Sequence, residues 1–295
     1  MADFTTQARA AGLGFTLSLF ALCGVARAAP LSIVAAENVY GDLAKQLGGD
    51  RVAVVSILNN PAQDPHLFEA DASTARAVAG ARFVIYNGAG YDPWMGKLLS
   101  VPGQGERDAI VADRILKVSP GDNPHLWYYP PMIMALADAM VTQFALADRD
   151  GPGYRERIVA FDSSMQALGL RIIALHDKYA GVPVTATEPV FDYMAKMIGL
   201  EVRNAAFQRA VMNDTEPSAR DVAAFEDDLK TRKVKVLLYN TQATGTLPQR
   251  MRRIAEAAKI PVVGISETEP PDMHYQDWMT AQLDALDKAL AQGTP

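Results

Sequence analysis

One stretch of this 295-residue chain limits the folds open to it more than any other. Tyr154, Ile158, Phe161, Met165, Leu168, Ile172, Leu175 and Tyr179 recur at spacings of four and three, with no proline and only Gly169 as a weak point. Apolar residues at that period form one stripe of an amphipathic helix. At about 1.5 Å per residue the helix is about 40 Å long, comparable with the length of a whole protein of this size. A coiled-coil dimer would carry the same stripe. Here the segment is flanked by alternating strand and helix patterns, not by further heptads. The stripe is therefore expected to pack across two halves of one chain, and the chain to be a monomer.

Short β-branched runs punctuate helical stretches on both sides of it. Leu31 to Ala36, Val52 to Leu58, Phe83 to Asn87 and Ala109 to Ala112 precede the long helix; Val182 to Thr187, Val202 to Ala205, Val234 to Asn240 and Pro261 to Ser266 follow it. Such alternation predicts an α/β fold of two Rossmann-like lobes, each a mostly parallel sheet flanked by helices. The expected division is an N-terminal lobe over 29–129, linking helices over 130–180 that include the long one, and a C-terminal lobe over 181–295. A short internal echo agrees: Ser73 to Ala79 followed by FVIYNGAG resembles Ser218 to Ala223 followed by VLLYNTQATG.

The first residues belong to neither lobe. Gly12 to Val25 is uncharged and apolar, and Ala26-Arg27-Ala28 follows as a small-x-small cleavage site, which together read as a secretory signal peptide over 1–28. The apolar run falls short of the roughly 20 residues a membrane-spanning helix needs, and no later window is expected to reach that length, so the mature chain is expected to be soluble and periplasmic. Cys23 is the only cysteine and lies within that run after Phe20-Ala21-Leu22, which is not a lipoprotein cleavage site. Cleavage after Ala28 removes it, along with Asp3, Arg9 and Arg27. A net charge of −6 becomes −7, and disulfides and thiolate metal sites are excluded. No basic run exceeds the pair Arg252-Arg253, which argues against nucleic acid as a partner.

Two of the four histidines sit in matching contexts, Asp64-Pro65-His66-Leu67-Phe68 and Asn123-Pro124-His125-Leu126-Trp127. Each is expected a few residues beyond a strand, or a strand-like turn, at the end where open α/β sheets place their ligands. Two imidazoles brought together there suit a metal ion. The second lobe should supply the remaining donors at equivalent strand ends. Glu188 follows the run Val182 to Thr187, and Glu267 and Glu269 both follow Pro261 to Ser266. Asn240-Thr241-Gln242 ends a further strand and is placed to hydrogen-bond a ligand. His176, on the long helix, and His274 are expected to be structural or exposed. Trp94 and Trp278 read as core or rim aromatics, and Trp127 as a wall beside His125.

The motifs PHLFE, NPHLWY, TEPVFDYMA and the closing VVGISETEPPD occur in an order that resembles the zinc and manganese solute-binding proteins of ABC importers. The resemblance covers essentially all of the mature chain. It implies that His66, His125, Glu188 and Glu267 bind the ion, with Glu269 the alternative in the fourth place. It also implies a long helix acting as a fairly rigid backbone to both lobes, a membrane permease as partner, and no catalysis. Two imidazoles and two carboxylates form a harder set than three imidazoles and one carboxylate, which favours Mn²⁺ or Fe²⁺, while the Irving–Williams order keeps Zn²⁺ competitive. No histidine lies between His66 and His125, unlike the His-rich loop of many zinc-specific members. The expected cargo is thus Zn²⁺ or Mn²⁺. Two other functions compete. An exported binding protein for an organic solute would need stacking aromatics and charged clamps, for which the paired Pro-His-Leu segments have no use. A metal-dependent hydrolase would need an open coordination position and a general base, and the chain carries no GxSxG or HExxH motif.

Overall fold

The computed structural model describes residues 1–2, 29–101, 107–149, 151, 153–243 and 245–292. The expected signal peptide, with Cys23, lies almost wholly outside the described residues. The first strand, β1 (Leu31–Glu37), runs directly into α1 (Asn38–Gly48), and is followed by β2 (Val52–Leu58), α2 (Ala72–Gly80), β3 (Phe83–Tyr86), α3 (Pro93–Leu99), β4 (Asp108–Val111) and α4 (Ala112–Leu116). The helices α5 (Pro130–Ala147) and α6 (Tyr154–Tyr179) come next. A second series then runs β5 (Pro183–Ala186), α7 (Asp192–Met197), β6 (Glu201–Arg203), α8 (Ala205–Met212), α9 (Ala219–Lys230), β7 (Leu237–Asn240), α10 (Thr246–Ala257), β8 (Val262–Ile265) and α11 (Tyr275–Gln292).

The strands form two four-stranded parallel sheets, ordered β2-β1-β3-β4 and β6-β5-β7-β8. Numbered within its own series, each sheet has the order 2-1-3-4, so the same topology occurs twice. The central strand β1 is buried from Ile33 to Glu37, as expected of a parallel strand covered on both faces. The sequence echo falls on equivalent elements: α2 leading to β3, and α9 leading to β7.

The long stripe is a 26-residue helix, α6, with Tyr154, Phe161, Met165, Leu168, Ile172, Leu175 and Tyr179 buried. It packs on α1, α5 and α11. Arg157 Nε donates to the Leu47 carbonyl at 2.6 Å, and Arg171 Nη2 reaches Asp284 and Asp287, each at 2.8 Å. A single hydrophobic core runs through both sheets, α5, α6 and α11, with a smaller cluster around Phe207, Phe225 and Met251 under α8, α9 and α10.

One expectation is corrected here. By length and composition α5 and α6 are each apolar enough to cross a membrane, although no such window was expected after residue 28. In the fold each turns one apolar face to the core: Met132, Ile133, Leu136, Met140 and Phe144 of α5 are fully buried against it, while Val159, Leu170 and Ile173 of α6 stay exposed.

Because α6 shares its core with both sheets, truncating its buried stripe should loosen the whole molecule. Leu168→Ala, at a position 2% exposed, should cost about 2–5 kcal/mol, and Leu170→Ala, at 69% exposed, less than about 0.5 kcal/mol. Urea unfolding followed by circular dichroism measures both, and near-equal losses would contradict this packing.

Candidate metal centre

The duplicated histidine motifs fold into the same local device. Asp64 Oδ1 accepts the backbone N–H of His66 at 3.0 Å, and Asn123 Oδ1 accepts that of His125 at 3.1 Å. Each is an Asx residue bonding two residues on, with proline between to hold the turn. His66 lies in the 3₁₀ turn Pro65–Leu67, and His125 immediately precedes the 3₁₀ turn Leu126–Tyr128. His125 follows a strand-like turn, bridged between Pro120 and Asp122, and not a strand of the sheet. The helix α4 and a loop separate it from β4. What brings it to the sheet end is Asn87, just beyond β3, whose Nδ2 donates to the Pro124 carbonyl at 2.8 Å.

Glu188 follows β5 in extended conformation and makes no helix-capping bond with its side chain. Glu267 follows β8, with its backbone N–H on Gln242 Oε1 at 2.6 Å. One donor atom from each of His66, His125, Glu188 and Glu267 lies within 4.8 Å of the others. His66 Nε2 is 3.5 Å from Glu188 Oε1 and 3.3 Å from Glu267 Oε2, and His125 Nε2 is 3.2 Å from the same Glu267 oxygen. His66 Nε2 is nevertheless not aligned for a hydrogen bond to either carboxylate. The contacts are those of donors facing one another. Glu269 does not join them. Its backbone N–H and carbonyl are both bonded to the Asn38 side chain, at 3.1 and 2.7 Å, and its carboxyl lines a separate cavity with Asp42, Lys45 and His274.

Three of the four groups are buried; His66 alone keeps an edge, at 22% side-chain exposure, and borders a cavity of about 410 Å³ lined also by Phe68, Tyr91 and Trp94. His125 Nδ1 lies 2.7 Å from Asn123 Oδ1, and Asn123 Nδ2 donates to the Pro189 carbonyl, which sets the orientation of the amide. Nδ1 is therefore the nitrogen that donates to Asn123, and Nε2 is the one turned to the carboxylates, 3.2 Å from Glu267 Oε2. Trp127 packs edge-on to His125 at 5.5 Å and to Tyr91 at 5.0 Å, forming the expected wall. Trp94 packs on Phe68, and Trp278 is buried beside Tyr128. His176 and His274 lie outside the cluster, with side chains 52% and 63% exposed and Asp177 and Asp42 as partners.

The electrostatics describe a site built for positive charge. Burial works against an imidazolium at His66, but the carboxylates of Glu188 and Glu267 more than offset it and raise its pKa to about 11. At Glu267 burial favours the neutral acid, yet the imidazoles of His125 and His66 hold the carboxyl well below the usual carboxylate range. A divalent cation meets the same two carboxylates, and on binding it displaces the His66 proton, so that the buried negative charge stays paired.

Sequence reasoning missed two supports. Tyr91, in the loop after β3, donates to Glu267 Oε2 at 2.9 Å and so reaches from the end of the first sheet to the end of the second. That loop winds through Gly88, Ala89 and Gly90, all at positive φ, and the run Asn87-Gly88-Ala89-Gly90 directly after a strand was the available signal. Asp92 accepts the backbone N–H groups of Asn87 and Gly88 at 2.7 and 2.9 Å. Beside it lies Glu37, whose buried oxygens meet no N–H or O–H donor. Burial, then the charge of Asp92, holds the Glu37 carboxyl well above its usual range, and burial pushes Asp92 up to about 6. Both effects favour the protonated, neutral form of Glu37.

That pair has a pH signature. The unfolded Glu37 ionises above its ordinary value of 4.5 while the folded residue stays protonated, so this stabilising contribution is complete below that pH and declines as pH rises, by up to about 1.4 kcal/mol per unit. Glu37→Gln keeps the shape and removes the titration. Its melting temperature should match wild type near about pH 4 and exceed it at about pH 8; parallel curves for the two proteins would contradict a raised Glu37 carboxyl.

The chain is similar to known proteins over most of its length. Residues 33–289 match the family model described as zinc-uptake complex component A, periplasmic. A candidate metal-binding protein of Thermotoga maritima is 28% identical over 177 residues, 58% of this chain and 62% of that one. The manganese ABC transporter substrate-binding lipoprotein PsaA of Streptococcus mitis is 20% identical, covering 89% of this chain and 90% of that protein. The periplasmic zinc-binding protein TroA of Treponema pallidum shares the fold at a TM-score of 0.75 and 18% identity, over 88% of this chain and 99% of that one. With its match running from β1 into α11, the chain belongs to the periplasmic zinc-uptake component A family, the metal-capturing, non-enzymatic binding proteins of ABC importers.

Proposed function

We propose that this protein captures a single divalent transition metal ion, zinc or manganese, as cargo on His66, His125, Glu188 and Glu267, and passes it to a membrane permease. The observation that carries the reading is the convergence of four donor atoms within 4.8 Å, contributed by loops at the ends of two separate sheets. Two nitrogens and two oxygens suit either ion, with zinc favoured by affinity and manganese by the hardness of the carboxylates. The ion enters past His66, the donor at the solvent edge, and is closed in by Tyr91 and Trp127.

The lobes of this reading span 29–129 and 181–295, joined by the helices between them, and the chain works in the periplasm after removal of residues 1–28. The core that α6 shares with both sheets keeps closure modest. Release then depends on the permease separating Tyr91 from Glu267 and Gln242 from Gln63, whose carbonyl accepts from Gln242 Nε2 at 2.7 Å. An organic solute has less support, because the groups turned into the site are four metal-type donors at mutual contact distance.

His66→Ala and His125→Ala should each weaken zinc and manganese binding by about 100-fold or more, and His176→Ala should leave both unchanged. Competition against a chromogenic chelator on metal-stripped protein reads the affinities. Loss of binding in His176→Ala, or full affinity in His66→Ala, would overturn the ligand assignment.

A further inference from the structure

Asn240 ends β7 and is 3% exposed. Its Nδ2 donates to Glu188 Oε2 at 2.6 Å and to Glu267 Oε1 at 2.7 Å. An amide NH₂ has two hydrogens, so each carboxylate takes one. The group cannot turn over, because Oδ1 accepts the backbone N–H of Gln242 at 3.0 Å, and the Asn240 backbone N–H is itself held by Thr187 Oγ1 at 3.1 Å. One oxygen of each carboxylate is thereby engaged by the amide, and Glu188 Oε1 and Glu267 Oε2, the latter also accepting from Tyr91 at 2.9 Å, are the oxygens turned to the imidazoles.

We infer that Asn240 is a specificity-determining positioning residue: by occupying one oxygen of both carboxylates it holds each to a single donor atom and biases the site toward zinc over manganese. The inference rests on the four-residue assignment above. Four donors, one from each side chain, match the tetrahedral shell of Zn²⁺. Manganese favours oxygen-rich shells of six, which these residues approach only if both carboxylates bind through two oxygens. Asn240 opposes that rearrangement without touching the ion. A topological counterpart sharpens the point. Asn87 follows the equivalent strand β3 after the same Tyr-Asn pair, but its amide holds the Pro124 carbonyl and so positions an imidazole loop; only the copy in the second half is turned onto carboxylates.

The test compares Asn240→Ala with wild type, each checked for folding by circular dichroism and titrated separately with Zn²⁺ and Mn²⁺. The ratio of manganese to zinc dissociation constants should fall by about tenfold or more in the variant, and X-ray absorption of the manganese-loaded protein should show more oxygen neighbours than in wild type. If Asn240→Ala does not fold, Asn240→Ser, which offers one donor hydrogen, should shift the ratio in the same direction. Equal weakening of both ions, with the ratio and coordination number unchanged, would reduce Asn240 to a structural role and overturn the inference while leaving the ligand assignment intact. A wild-type protein that binds neither ion would overturn the ligand assignment and the inference together.

Discussion

The buried carboxylate of Glu267 is the interaction on which the centre depends. Within the cluster its Oε2 faces both imidazoles and accepts from Tyr91, its Oε1 accepts from Asn240, and its backbone N–H is held by Gln242. A charge so deep in the protein is tolerable only with such partners. The partners come from the ends of both sheets, so satisfying one carboxylate also draws the two halves of the molecule together. The attraction that brings a proton to His66 is the same attraction that a divalent cation would meet.

Around that point the molecule uses one plan twice. Two sheets of order 2-1-3-4 present their strand ends to a common cleft, and the helix α6 fixes the distance between them. The first half contributes imidazoles on matched Asx-Pro-His turns, each braced by the side chain of its own Asp64 or Asn123. The second half contributes carboxylates, which are flexible and carry charge, and so require the donor amide of Asn240. That division of labour explains why equivalent asparagines after β3 and β7 have different partners.

Much of this was legible before any coordinates. Parallel strands covered on both faces are written as β-branched runs, and all eight appear within a few residues of where the runs predict. The stripe from Tyr154 to Tyr179 specified its helix because only a 3.6-residue period buries it. The histidine pair was legible because the turn that aims each ring is encoded locally, in Asp64-Pro65 and Asn123-Pro124. The choice between Glu267 and Glu269 was not. It depends on a bend at residues 267 and 268 and on Asn38, distant in sequence, which grips the backbone of Glu269 and sends its carboxyl elsewhere. Tyr91 and the Glu37–Asp92 pair were hidden for the same reason: their significance lies in contacts across the fold that no local pattern records.

The central claim is that one ion sits between four named side chains. Anomalous diffraction at the zinc and manganese edges, on protein purified from cells supplied with both metals, tests it most directly. The account predicts one peak, about 2.0–2.3 Å from a donor atom of each of His66, His125, Glu188 and Glu267. A peak in the cavity of Asp42, Glu269 and His274 instead, or no peak at either edge, would contradict it.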